Sequence, residues 1–411
     1  MEATATSQNE RLVSLDSIRG FALLGIFLVN MPAFHSPDFI RQLYTLPEHL
    51  SPLDQRIRLF FDLFIQTKFY TIFSFLFGLG FYIFMHRAEK RGHNIYKLFS
   101  RRLCILFVIG LIHLVFLWFG DILHLYALTG FLLLLFYKRS NAVILGWAFG
   151  LLILYYGLLS LQLLIDPASL LASQTIGAEK LAEAVRIYQD ASYTEWLAYR
   201  INTEIPYILD SILLQIPAIL PLFLFGLYAG QCGIFQDLAR NRIVVKRVWM
   251  VSFLLSIPLT IWAALVHTGS FSGTTQPFLQ DVVIGLNGLP LCFFYMSSLV
   301  LLLDKKHWQK WLRLLSFTGQ MALTNYLLQT ILSLSIIFGF GLFNRMSLAT
   351  SLLLCLVLYV GQAYFSSFWL KRYYFGPAEW LWRTLTYGRM QSFRRLYVLG
   401  EEKTEQEQRL N

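Results

Sequence analysis

The chain has 411 residues, of which 56% are hydrophobic and 14% charged, against about 25% charged in soluble domains, so an ordinary soluble globular protein is excluded. The formal charge is +10 and the isoelectric point near 9.4. The basic residues cluster in short stretches between apolar runs with no nucleic-acid motif beside them, which excludes nucleic acid as a partner. Cys104, Cys232, Cys292 and Cys355 lie in or at the ends of apolar runs, without the spacing of a disulfide framework or a zinc site.

Apolar runs near residues 18–34, 57–86, 101–119, 121–137, 142–165, 206–232, 248–267, 281–303, 316–341 and 348–370 predict an all-α polytopic membrane bundle of ten transmembrane helices. Residues 1–395 are expected to form one transmembrane bundle, followed by a charged, disordered tail over 396–411. No repeat of 20 to 50 residues is visible.

The first run follows a basic residue as a signal peptide would, but no small-residue cleavage site comes after it, and it is expected to be a retained helix. Asp16 and Arg19 face each other at its inner end, either as an interfacial pair or as an anion-binding pair, and Asn30 lies near its outer end. The loop over 35–56 then supplies His35, Asp38, Glu48, His49 and Asp54. Lys68 lies several turns into the second span and must reach water or a carboxylate, with Asp62 and Asp121 as the nearest choices. Gly78 and Gly80 allow a close helix approach or a kink.

The third and fourth spans form a tight hairpin, GLIHLVFLWFGDILHLYAL, carrying His113, Asp121, His124 and Tyr126. At about 1.5 Å per residue His113 and Tyr126 both lie within roughly 10 Å of the turn, so the four groups can share one pocket. Asp121 can also be read as a helix cap and His113 as a packing histidine. An insertion over 166–205 is polar and predicted helical. The sixth span holds Pro206, Pro217 and Pro221 beside Asp210 and Gln215, which predicts a broken helix lining a cavity. The ninth carries a polar stripe of Gln320, Thr324, Asn325 and Gln329, suited to helix association. Residues 371–395 mix Trp and Tyr with Arg as an interfacial helix does.

The Lys/Arg bias of the short loops places both termini inside. No Walker loop, dinucleotide fingerprint, HExxH or GxSxG is present, and the acidic residues are too scattered for a metal cage, so no metal is expected.

Five stretches, RLVSLDSIRGFALLGIFLVNM, KFYTIFSFLFGLGF, GLIHLVFLWFGDILHLYAL, GQMALTNYLLQT and GPAEWLWRTLTYG, together resemble the YeiB-like family of bacterial inner-membrane proteins over almost the whole chain. Gln320 stands where that family is expected to carry Arg, and His124 is not part of its pattern. The first span is also similar to that of heparan-alpha-glucosaminide N-acetyltransferase and related transmembrane acyltransferases, through Asp16, Arg19, Gly20 and Asn30. Those enzymes take acyl-CoA from the inside and deliver the acyl group to a sugar amine or hydroxyl outside, with a His in the loop after the Asn. His35 and His49 occupy that loop here.

The resemblance implies acyl transfer from acyl-CoA to a small-molecule or glycan acceptor. His113 or an outer-loop His, oriented by Asp121, would be the base, and Asn30, Lys68 or Tyr126 the oxyanion donors. Arg19, with Asp16 and Asn325, would lie on the acyl-CoA side. A proton-coupled transporter using Asp121 and His113 is the alternative, and a homodimer stays open.

Overall fold

A computed structural model of the chain describes residues 13–48, 50–235, 238, 240–269 and 275–395. The expected tail over 396–411 and His49 lie outside them. In chain order the α-helices are α1 (Val13–His35), α2 (Asp38–Leu43), α3 (Pro52–Phe64), α4 (Lys68–Lys90), α5 (Ile95–Phe116) and α6 (Leu123–Leu133). They continue with α7 (Asn141–Ser160), α8 (Pro167–Asp190), α9 (Tyr193–Tyr199), α10 (Ile205–Gln231) and α11 (Arg242–His267). The last five are α12 (Gln276–Leu303), α13 (Lys306–Gln320), α14 (Ala322–Gly339), α15 (Leu348–Arg372) and α16 (Pro377–Tyr387).

The protein is an all-α polytopic bundle in which nine helical stretches among the described residues are long and apolar enough to cross a membrane. The remaining predicted span, the fourth, is present but shorter. It has 11 residues of α6 and three of a 3-10 turn, about 20 Å of helix against a hydrocarbon core of about 30 Å. Its N-terminal end starts from the buried Asp121 rather than from a membrane surface, so less length is needed. The exposed faces of α7 and α11 are rows of Leu, Ile, Val, Trp and Phe, the surface that a lipid environment requires.

Two predicted spans are interrupted. The second divides between α3 and α4, where Thr67 adopts a left-handed φ of 71° and its hydroxyl donates to the carbonyl of Ile284 at 3.1 Å. The ninth divides at Met321 between α13 and α14. The sixth departs from expectation the other way: α10 runs through Pro217 and Pro221 as one helix, preceded by a π-helical turn, Arg200–Glu204. The 371–395 segment is not one helix either. It holds the end of α15, then α16, then an extended stretch that pairs back through Arg395 N to Arg372 O at 2.9 Å.

Close helix approach sets the centre of the bundle. A Cβ at Gly78 would fall 1.9 Å from the Phe223 carbonyl oxygen, and one at Gly226 would fall 2.0 Å from that of Phe75, so α4 and α10 cross backbone to backbone through reciprocal glycines. Gly20 and Gly319 do the same for α1 and α13, against Leu315 O and Asp16 O. These crossings fix α1 and α4, and the main apolar core fills the space between them, α5, α6, α10 and α12.

Candidate functional site

The α5–α6 hairpin turns through a short non-helical stretch that leaves Asp121 between the two limbs with its side chain fully buried. Gly110 is required there, since a Cβ on it would meet His124 N at 2.4 Å and Asp121 Oδ2 at 2.9 Å. Asp121 Oδ1 stands 2.9 Å from His113 Nδ1, and Oδ2 stands 2.9 Å from His124 Nδ1 and accepts from His124 N at 2.9 Å. An ionised carboxylate only accepts, so the hydrogen-bonded His124 Nδ1 carries the proton and its Nε2 is left as a lone pair, whereas His113 Nδ1 faces the other oxygen at close range without hydrogen-bond geometry. His113 Nε2 lies 3.0 Å from the Thr330 hydroxyl, whereas His124 Nε2 is buried without a partner. The Tyr326 ring lies 5.2 Å from that of His113, and its buried hydroxyl also makes no hydrogen bond.

A cavity of about 350 Å³ reaches toward this cluster from the end of the bundle that holds the start of α1 and the end of α4. Its mouth is basic, with Arg19, Arg87, Arg91, Arg102, Arg383 and His93. Its deep wall is apolar, from Phe73, Phe77, Ile122 and Leu123 to Tyr126 and Tyr326. Phe73 and Arg87 are separated along α4 by about 21 Å of helix rise. Arg102 lies over the Trp382 ring, 3.6 Å from its centroid, and its carbonyl accepts from Trp382 Nε1 at 2.9 Å, which docks α16 against α5 while Leu381 and Leu385 of α16 stay exposed.

Glu379 closes the same cavity from α16. Its Oε1 accepts from Leu323 N at 2.7 Å and Thr324 N at 3.1 Å, and its Oε2 accepts from the Thr324 hydroxyl. A carboxylate from another helix thus caps the first turn of α14, filling donors that no local residue reaches. Burial pushes the Glu379 carboxyl above its ordinary range, and the hydrogen bonds from Thr324 and Leu323 oppose that shift.

The predicted residues divide into groups. His113 and Asp121 come together. Tyr126 lines the deep end of the cavity, but its hydroxyl is engaged, 2.7 Å from Ser74 Oγ and 3.3 Å from Tyr70 O. Asp16 and Arg19 form a 2.7 Å ion pair at the cavity mouth. Asn325 sits in the seam between α13, α14 and α15, donating to Thr318 O at 3.2 Å and Ser366 Oγ at 2.9 Å.

Lys68 is elsewhere. It reaches the backbone carbonyl of Asp62 at 2.8 Å, not a carboxylate, while the Asp62 carboxylate is held by Arg58 at 3.2 Å, with His267 3.5 Å away. Asn30 is half-buried on α1 and outside both the hairpin cluster and the cavity lining. Sequence reasoning missed Tyr326, Thr330 and Glu379. Only Glu379 had a signal, as the one acidic residue in the aromatic GPAEWLWR stretch.

A second pocket of about 380 Å³ lies at the opposite end, lined by His35, Asp38, Glu48 and Asp54 with Arg41, Arg58 and Asn344. The insertion over 166–205 is helical as expected, and Leu181 of α8 forms part of this wall.

Residues 229–389 match the family described as "Protein of unknown function (DUF418)". The chain is 31% identical over 407 residues to the Uncharacterized protein YxaH of Bacillus subtilis (strain 168), covering 93% of this chain and 96% of that one. It is 35% identical over 402 residues to the Uncharacterized 39.9 kDa protein in amylase 3'region of Bacillus acidopullulyticus, covering 93% and 95%. It is 28% identical over 386 residues to the Uncharacterized protein YeiB of Escherichia coli (strain K12), covering 92% and 96%. No solved structure matches the chain. With that similarity running nearly end to end, the chain belongs to the YeiB-like family of membrane proteins that carries the DUF418 domain.

Proposed function

We propose that this protein is a transmembrane acyltransferase that takes acyl-CoA at its basic end and passes the acyl group to an acceptor, a sugar or an envelope component, on the far side of the membrane. The observation that carries this reading is the single cavity with an arginine-rich mouth and an apolar deep end, closed by Ile122, Tyr126 and Tyr326 against the His113–Asp121–His124 cluster. Phosphates suit the mouth, where guanidinium groups can bind them bidentately. An acyl-thioester arm suits the apolar channel. The Lys/Arg bias supports a cytoplasmic basic end, and similarity to bacterial relatives supports a bacterial plasma membrane as its location.

In this reading the acceptor hydroxyl or amine attacks the thioester carbonyl while an imidazole Nε2 of the cluster takes its proton. Asp121 holds that imidazole by Nδ1 and stabilises the imidazolium that forms. Tyr326, with an unengaged hydroxyl on the cavity wall, donates to the carbonyl oxygen as it becomes anionic, a role for which Tyr126 and Lys68 are already committed elsewhere. The C–S bond then breaks and the CoA thiolate leaves toward the basic mouth, taking up the proton. Proton-coupled transport through Asp121 and His113, the other reading, keeps its two relay residues but loses the broken sixth helix it was placed around, since α10 is continuous.

Calorimetric titration of the purified protein with acetyl-CoA tests the assignment. Saturable binding that weakens at least tenfold in Arg87→Ala/Arg91→Ala, and that falls with added salt, supports it. No binding at millimolar acetyl-CoA refutes it.

A further inference from the structure

The pocket at the end opposite the basic mouth is built around one histidine whose needs the protein does not meet. His35 ends α1, is only 5% exposed and lines the pocket, and neither Nδ1 nor Nε2 has a hydrogen-bond partner. Its position is well fixed, because its carbonyl accepts from Asn344 N at 2.6 Å. A neutral imidazole presents one donor and one acceptor, and leaving both unmet in a buried site is costly. The two nitrogens lie on different edges of the ring, so answering both takes two groups, one accepting and one donating, and a molecule with several hydroxyls supplies both.

The charges around His35 narrow the class further. Arg58 is spent on two carboxylates, Asp62 at 3.2 Å and Asp38 at 3.6 Å, and Arg41 reaches Asn344 Oδ1 at 3.5 Å. Three carboxylates, Asp38, Glu48 and Asp54, line the same space, so an anion would meet net negative charge. Carboxylates accept hydrogen bonds from hydroxyls readily. Among the described residues no three metal-ligating side chains converge into a cation site. The volume of about 380 Å³ falls in the range of small-ligand pockets, about 300–1,000 Å³.

The geometry points to this pocket as the binding site of a polyhydroxylated molecule of about monosaccharide size that carries no negative charge. As the acceptor site of the transfer described above it rests on that reading; as a polyol site it stands on His35 alone.

The test uses the full-length protein in nanodiscs and saturation-transfer NMR with glucose, glucosamine and glycerol, with glucose 6-phosphate as the anionic comparison. At least one uncharged or cationic member should give saturation transfer that is lost in His35→Ala, retained in part in His35→Gln, and reduced severalfold in the exposed Glu48→Gln. Glucose 6-phosphate should bind at least tenfold more weakly than glucose. No binding by any polyol, equal or tighter binding of the phosphate, or binding indifferent to both the His35 and Glu48 substitutions overturns the inference. Acetyl-CoA titrated into the same samples separates the two claims. Acetyl-CoA binding without polyol binding overturns this site and leaves the transfer reading standing, whereas His35-dependent polyol binding without acetyl-CoA binding supports the site and overturns the transfer reading.

Discussion

His113 Nδ1, on α5, and Asp121 Oδ1, in the turn between α5 and α6, stand 2.9 Å apart, both buried. His124 occupies the other carboxylate oxygen at the same distance and is hydrogen-bonded to it, so one carboxylate gathers two imidazoles and fixes the tautomer of His124.

Replacing Asp121 by Asn keeps the shape but leaves one accepting oxygen where the carboxylate presented two to the paired histidines. One histidine must change tautomer or lose its partner, at a cost of about 1–3 kcal/mol. Thermal unfolding should show a lower midpoint for Asp121→Asn. The added effect of His124→Ala should be smaller in the Asn background than in the wild type, a non-additivity expected only of groups in contact. Fully additive losses would show that the pairing has no energetic weight.

Glu379 is predicted to hold the start of α14. Glu379→Ala strips acceptors from two backbone amides and one hydroxyl, and should cost about 1–2 kcal/mol, as loss of a helix cap does. Glu379→Gln should cost less, because one oxygen remains to accept. Equal midpoints for all three proteins in a detergent melt would contradict the capping role.

The α4–α10 crossing predicts a sharp contrast between two glycines. Gly78→Ala forces a Cβ to within 1.9 Å of the Phe223 carbonyl oxygen, and overpacking of that kind costs about 1–3 kcal/mol. Gly146 on α7 has nothing within 4 Å of its would-be Cβ, so Gly146→Ala should stabilise by about 0.5–1 kcal/mol through helix propensity. Expression level and melting midpoint read both, and a reversed order would discard the crossing.

Orientation can be read by accessibility. In a cysteine-free background, Ser140→Cys at the basic end and Ser169→Cys in the α8 insertion should label from opposite sides, Ser169→Cys from outside. Labelling of both from one side would remove the assigned topology.

The apolar runs made the bundle legible, because length and hydropathy suffice to mark a membrane helix. The hairpin cluster was legible too, since His113, Asp121 and His124 are costly enough in a membrane to demand partners. The interruptions were not. Thr67 takes a left-handed φ without the glycine that normally announces one, and the break at Met321 is held by Glu379, a residue distant in sequence that no local pattern reveals. Pro217 and Pro221 argued for a break that did not occur, because tertiary context in a bundle can offset the hydrogen bonds that proline removes. Lys68 was expected to reach water or a carboxylate, whereas its ammonium donates to the Asp62 backbone carbonyl at 2.8 Å, across the break at Thr67.

A cryo-electron-microscopy map of the protein with saturating acetyl-CoA tests the central claim most directly. The account predicts phosphate density against Arg87, Arg91 and Arg383, with the pantetheine arm running between α1 and α4 and the thioester at Tyr326, facing the His113–Asp121–His124 cluster. An empty cavity at saturation, or the nucleotide bound outside it with the thioester remote from Tyr326, would contradict it.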